Sequence, residues 1–409
     1  MTGRAEFASW LEGTNDLTSR FVGSAGIADL VNVAGGLPEP SLFPVERLAM
    51  IASDAIRNQP ELALGYGPTG GMPELREEIA ARYRARGIRI DASNVLLTAS
   101  GTQALDLAGK VLIEPGRRVA CDFPTYAGAM DAFRPRGPRY QHLDLSAPEK
   151  LGAAMERADL VYMIPNFSNP TGKLVDLETR HALVEAAHQS DTWMIEDDPY
   201  GALYYDGPAL PGLLQLSAER GEGDCYRGPV IHMGSLSKQL VPGLRVGWVI
   251  AAPELIAKMS SAKQATDLCS NSLAQLITLA AFREGMIEEL LPRSLALYRE
   301  RRSALADAME RHISHWFEWE IPVGGMFIWA RAKDRALDVE AVVEAGMKRG
   351  VLVGPGSAFD PMGLSGPALR LNFTLNDPGK LDRAMERLAD ALEEVTPTRQ
   401  RRESAVAAG

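Results

Sequence analysis

Between residues 94 and 252 short runs of β-branched and other apolar residues alternate with segments whose apolar positions recur every three or four residues. The runs predict strands at 95–99, 118–121, 160–164, 193–196, 230–234 and 246–250. In the segment after 99, Leu105, Ala108, Val111 and Leu112 share one helical face before Pro115-Gly116 stops it. Further helices are expected near 125–134, 178–189 and 272–290. The alternation predicts a doubly wound α/β domain with a mostly parallel sheet. Around residue 290 the pattern changes. A long charged helix (Arg293, Arg299, Arg301, Arg302) leads into 317–321 and 326–330, which alternate like antiparallel strands. Helices near 338–349 and 378–394 and a strand at 369–373 complete a smaller α+β domain. Residues 1–45 have weak periodicity and Pro38, Pro40 and Pro44, as expected of an arm that joins the small domain. The expected division is therefore 1–45 arm, 46–288 large domain, 289–396 small domain and 397–409 flexible tail.

Composition narrows the function classes. Of 409 residues, 46% are apolar and 23% charged, which is ordinary globular usage. With 43 basic against 53 acidic side chains the net charge is −10, which argues against a nucleic-acid partner but leaves room for a local anion site. Cys121, Cys225 and Cys269 have no zinc-module spacing and read as reduced, buried thiols, and the six histidines show no metal-ligand spacing. No apolar run approaches the ~18 residues of a membrane span, and none opens the chain, so a cytoplasmic protein without a membrane or metal partner is expected.

Two motifs mislead. Gly65-Tyr66-Gly67-Pro68-Thr69-Gly70 matches GxGxxG, but no strand precedes it and Pro68 interrupts the turn. Ser235-Leu236-Ser237-Lys238 matches SxxK without the SDN and KTG partners of β-lactamases. More informative are polar residues placed just after predicted parallel strands, whose carboxyl ends share the ligand-binding edge of such sheets. Ser100, Gly101, Thr102 and Gln103 follow the first strand and open a helix, an anion-binding arrangement. Asn169 follows the strand at 160–164, Asp197 and Tyr200 the strand at 193–196, and Ser235, Ser237, Lys238 and Arg245 the strand at 230–234. Singly each has a plainer use: Asn169 before Pro170 suits a turn, Asp197 a helix cap, Lys238 a surface charge. Together they put an anion site, a carboxylate, an amide, a phenol and a lysine on one edge.

The chain resembles fold-type I aminotransferases that use pyridoxal 5′-phosphate (PLP), in the branch of α-aminoadipate and kynurenine aminotransferases. The resemblance runs over roughly residues 15–395. It rests on Ala34-Gly35-Gly36-Leu37-Pro38-Glu39-Pro40, the segment Tyr66 to Arg76, Ser168 to Gly172, Asp197 to Tyr200, Ser235 to Lys238 with Pro242 to Gly247, Gly324 to Phe327, and Leu369 to Phe373. It implies that Lys238 forms the Schiff base with PLP and shuttles the substrate proton, because an amine near cations can shed its proton near neutral pH. Asp197 would hold the pyridine nitrogen protonated, Asn169 and Tyr200 would bind the ring O3′, and Tyr126 would stack on the ring. Gly101, Thr102, Ser235, Ser237 and Arg245 would cradle the phosphate, with Ser100 and Gln103 beside them. Arg370, with Asn169 and the Gly36 backbone, would clamp the α-carboxylate of amino acids and 2-oxoacids. Arg20 is a candidate for a distal carboxylate. The resemblance also implies a homodimer in which Tyr66 reaches the neighbouring subunit's phosphate. Plainer readings stand beside these: Tyr126 as core, Arg370 as a strand-edge charge, Tyr66 packed in its own subunit.

The expected reaction is transamination with 2-oxoglutarate as acceptor by a ping-pong route. The same set also serves β-elimination and decarboxylation. It serves, too, as a ligand sensor behind a winged-helix DNA-binding domain, for which about 30 preceding residues are too few.

Overall fold

The computed structural model describes residues 7–12, 29–221, 223 and 225–396; residues 1–6 and 13–28 of the arm, Arg20 among them, and the tail from 397 lie outside the described residues. The strands, in chain order, are β1 (Val31–Asn32), β2 (Val95–Thr98), β3 (Arg118–Cys121), β4 (Arg139–His142), β5 (Leu160–Met163), β6 (Trp193–Asp197), β7 (Val230–Ser235), β8 (Gly247–Ile250), β9 (Phe317–Glu318), β10 (Phe327–Ala332), β11 (Val351–Leu352), β12 (Gly354–Pro355) and β13 (Ala368–Asn372).

Seven strands form the large sheet in the order β2-β8-β7-β6-β5-β3-β4. Apart from the edge strand β4, its strands read as largely apolar runs because both faces are covered. Alternate residues fill opposite cores: Leu96, Val119, Tyr162, Ile195 and Ile231 enter one, and Val95, Leu97, Ala120, Val161, Met194 and Val230 the other. β8 is antiparallel to both neighbours, the exception in a sheet expected to be mostly parallel. The loop 236–246 holds no crossover helix, and without one the chain returns antiparallel. This reversal brings Arg245, which precedes β8, to the edge where β2 and β7 end.

Other differences have local causes. β4 was not expected; it is a half-exposed edge strand, Arg-Tyr-Gln-His, with no apolar run to announce it. The helices Val45–Asn58, Pro60–Leu64 and Pro73–Arg84 were likewise not expected. In the first of these only Ala55 is buried, so its packing signal is weak. The helix expected at 272–290 is two, Ser272–Arg283 and Met286–His312, broken where Gly285 takes φ 66°. Of 317–321 only Phe317–Glu318 pairs, closing a four-stranded antiparallel sheet β12-β13-β10-β9. The arm contributes β1, which pairs in parallel with β11. Cys121 is buried, but Cys225 and Cys269 are only half-buried. Among the described residues no helix is long and apolar enough to cross a membrane.

Candidate active site

The carboxyl ends of β2, β5, β6 and β7 open on a cavity of about 360 Å³, closed on the far side by β10, β13 and the arm. Gly36, Ser100, Gly101, Thr102, Tyr126, Asn169, Asp197, Tyr200, Ser235, Ser237, Lys238, Arg245 and Arg370 all line it.

One end is built to take an anion. Ser100 caps the helix Gly101–Leu112, its Oγ accepting the Gln103 N–H at 3.2 Å. The first-turn N–H groups of Gly101 and Thr102 have no acceptor within the helix. Ser235 and Ser237 join them through Oγ to Oγ at 2.9 Å, and Arg245 projects from a left-handed backbone, φ 52°. Such a conformation is uncommon outside glycine and is kept where the surroundings fix it.

In the middle lies Lys238, whose Nζ donates to the Gly36 carbonyl at 2.7 Å. Burial, then Arg245 and Arg370, brings its ammonium down to about 8. The approach requires glycine at 36, since a Cβ there would sit 2.7 Å from Phe327 Cζ. Asp197 is buried; its Oδ2 accepts the Tyr162 hydroxyl at 2.9 Å. Burial foremost, opposed by that hydrogen bond and reinforced by Asp198, pushes its carboxyl up to about 6. Among the described residues no lysine or arginine forms an ion pair with it. The Tyr200 phenol, beside Asn169, is also pushed up by burial, as is that of Tyr126, beside Thr102.

At the other end Arg370, 4% exposed, rises from the central strand β13. This excludes the reading of a strand-edge charge. Its guanidinium lies between the rings of Phe327 and Phe359, 4.4 Å from each centroid. It donates to Asn169 Oδ1 at 2.7 Å and to the Ala34 carbonyl. Burial, countered by Tyr200 and Tyr126, lowers it to about 10.

Two expected residues do not reach the cavity. Gln103 turns away: its Oε1 accepts the Ala99 N–H at 2.7 Å and its Nε2 donates to Asp267 at 2.7 Å. Tyr66 is 90% exposed and contributes nothing to its own subunit's cavity, which also excludes its packing there. Sequence reasoning missed Tyr162, Phe327 and Phe359 as site residues. Tyr162 lies inside an apolar run, and the loop holding Phe359 has no periodicity. Phe327 alone carried a signal, in the Gly324 to Phe327 segment.

A lysine, a buried carboxylate and an anion cradle along the edge of this sheet define the class of fold-type I PLP enzymes. The family described as aminotransferase class I and II matches residues 38–388, and the chain belongs to it. It is 36% identical to the 2-aminoadipate transaminase of Thermus thermophilus, over 89% of this chain and 90% of that one. It is 34% identical to an aromatic-amino-acid aminotransferase of Thermococcus litoralis, over 90% and 89% of the two chains. The kynurenine aminotransferase of Pyrococcus horikoshii, solved with PMP, superposes with a TM-score of 0.86 at 33% identity, covering 95% of this chain and 97% of that one. The protein is an aminotransferase, and its cofactor is PLP. The residues fit that group. The buried carboxylate of Asp197, which has no lysine or arginine partner among the described residues, suits a pyridinium N–H, and the donors around Gly101, Ser235 and Arg245 suit a phosphate.

Proposed function

We propose that this aminotransferase moves the amino group of an L-amino acid to a 2-oxoacid, 2-oxoglutarate by preference, in two half-reactions that share one cavity. The observation that carries this reading is that, among the described residues, Arg370 is the one buried guanidinium and Lys238 the one amine lining the cavity. One carboxylate clamp serves one substrate at a time, so donor and acceptor must alternate. Amino-group exchange across a panel of amino acids and oxoacids tests it. Parallel double-reciprocal lines, with 2-oxoglutarate the best acceptor, are expected; intersecting lines would exclude alternation.

When bound, PLP supplies an electron-accepting ring that stabilises the charge left as the substrate Cα loses its proton. Lys238, neutral above about pH 8, takes that proton and returns it to the other end of the exchanged bond. Asp197 would hold a proton on the pyridine nitrogen, with Tyr162 keeping its carboxylate oriented. Asn169 and Tyr200 would bind O3′. Gly101, Thr102, Ser235, Ser237 and Arg245 would hold the phosphate, and Tyr126 would stack on the ring. Phe327 and Phe359 exclude water from the clamp, which strengthens its pairing with a carboxylate.

Arg370→Lys should raise KM about tenfold or more for every donor and acceptor, ~1.4 kcal/mol per tenfold, because the planar fork is lost while the charge remains. Steady-state kinetics on aliphatic, aromatic and dicarboxylic substrates would show it; a penalty confined to one side-chain class would make Arg370 a specificity residue.

We further propose a homodimer with shared sites. Val45, Met50, Leu62 and Leu64 are 55–67% exposed on the helices preceding Tyr66, large apolar side chains that a partner subunit would cover. Tyr66 would reach the partner's phosphate from that face. A hybrid of Tyr66→Ala and Lys238→Ala chains, each nearly inactive as a homodimer, should regain about one wild-type site per dimer, as two-fold sharing requires. A hybrid as inactive as its parents, with mixing verified, would overturn the sharing of Tyr66 between subunits.

A further inference from the structure

Lys263 is completely buried, yet it does not reach the active-site cavity. Its Nζ donates to Asp267 Oδ1 at 2.7 Å, one turn further along the helix Pro253–Asp267. Neither residue is well placed for stability. Lys263 is buried while Asp267 is a quarter exposed, so much of what the pair gains goes to desolvating the ammonium. Asp267 also ends its helix, where the dipole disfavours an anion. The next residue, Leu268, takes φ 63°, a left-handed conformation rare for leucine.

What the pair holds is the other oxygen of Asp267. Oδ2 accepts Gln103 Nε2 at 2.7 Å, and Gln103 Oε1 accepts the Ala99 N–H at 2.7 Å. Ala99 directly precedes Ser100, and Gln103 lies in the first turn of the helix whose N–H groups face the anion end of the cavity. Nearby, Lys110 Nζ donates to Thr266 Oγ1 at 3.0 Å, so the two helices are tied at a second point. The chain Lys263–Asp267–Gln103–Ala99 thus bridges a neighbouring helix to both sides of Ser100. It can fix the direction of the Gly101 and Thr102 N–H groups without touching a ligand.

Resting on the cofactor reading above, we propose that Lys263 and Asp267 are positioning residues for the phosphate cradle, acting through Gln103. The charged pair keeps Asp267 from rotating, and Asp267 keeps Gln103 from following the cavity. Their contribution is therefore selective for the phosphate end of the ligand.

The test compares PLP with pyridoxal, which lacks the phosphate, by titrating the cofactor-free full-length chain and following the visible band and the protein fluorescence. In Lys263→Met/Asp267→Leu, which removes the acceptor for Gln103 without leaving a buried charge, the affinity for PLP should fall about tenfold, the lower range for loss of an outer-shell support. Pyridoxal affinity should not change. Lys263→Met/Asp267→Asn keeps an amide oxygen for Gln103 and should restore most of the PLP affinity. Gln103→Met, which leaves the pair intact and burdens folding least, should reproduce the selective loss. Equal weakening of both ligands, or unchanged PLP affinity in the Leu and Met variants, would overturn the proposal. If the wild-type chain itself does not prefer PLP to pyridoxal, the cradle reading fails instead, and the positioning role falls with it.

Discussion

Lys238→Ala is expected to slow amine transfer by about 10⁴-fold or more, the scale that follows loss of a proton-transferring side chain, or ~5.5 kcal/mol of barrier. The variant should still fold, since the Lys238 amine gives up only its hydrogen bond to the Gly36 carbonyl. Borohydride reduction of the wild-type protein should leave the pyridoxyl adduct on the peptide containing Lys238. The pH dependence has a definite sign. An amine lowered to about 8 is protonated below that value and neutral above it, so capture of the cofactor carbonyl should accelerate as pH rises through about 8 and then level off. Removing the positive charge of Arg245 should move this rise to higher pH, because Arg245 is one of the causes of the depression. An adduct on another lysine, or a profile insensitive to Arg245, would remove Lys238 from this role.

Much of the cavity was legible because its residues obey a simple rule. Asn169, Asp197 and Lys238 each follow an apolar run that ends at one sheet edge, and a run buried on both faces is the strongest signal a parallel sheet leaves in a sequence. The rule gives position along the edge but not direction of the side chain. Gln103 sits in the predicted anion turn, yet its amide is drawn away by Asp267, 164 positions distant, which no local pattern announces. Arg370 shows the same limit from the other side. Its neighbours Leu369 and Leu371 mark a buried strand, but the stacking of its guanidinium between Phe327 and Phe359 joins a strand, a loop and a second strand. The direction of β8 was not legible for a topological reason: a strand's direction depends on the connection before it, and its apolar content is the same either way. Resemblance supplied roles where spacing could not, as for Tyr126 and the clamp, while Tyr162 and Phe359 emerged only from the packed structure.

Asp197→Asn should leave PLP bound and reduce turnover by about 10³-fold or more, ~4 kcal/mol of barrier, because the amide keeps the shape of the carboxylate but not its charge. The argument begins with burial. Asp197 is removed from water and lies beside Asp198, so without a cation its charge is costly and its carboxyl rises to about 6. A protonated pyridine nitrogen against it lowers that cost, and the same pairing holds the proton on the nitrogen while charge develops on the ring. Asparagine can still accept the Tyr162 hydroxyl, so the local packing is kept, but it exerts no such hold on the proton. The anchors at Gly101, Ser235 and Arg245 are untouched, which is why binding should suffer far less than turnover. With the ring cation against it the carboxyl should titrate below the value of about 6 that it has alone, so the pairing should persist through neutral and mildly acid pH in the wild-type chain. Nitrogen-15 resonance of labelled cofactor reads the ring proton directly: protonated in the wild type at neutral pH, unprotonated in the variant. A variant that keeps both the ring proton and near-normal turnover would show that another group performs the task assigned to Asp197.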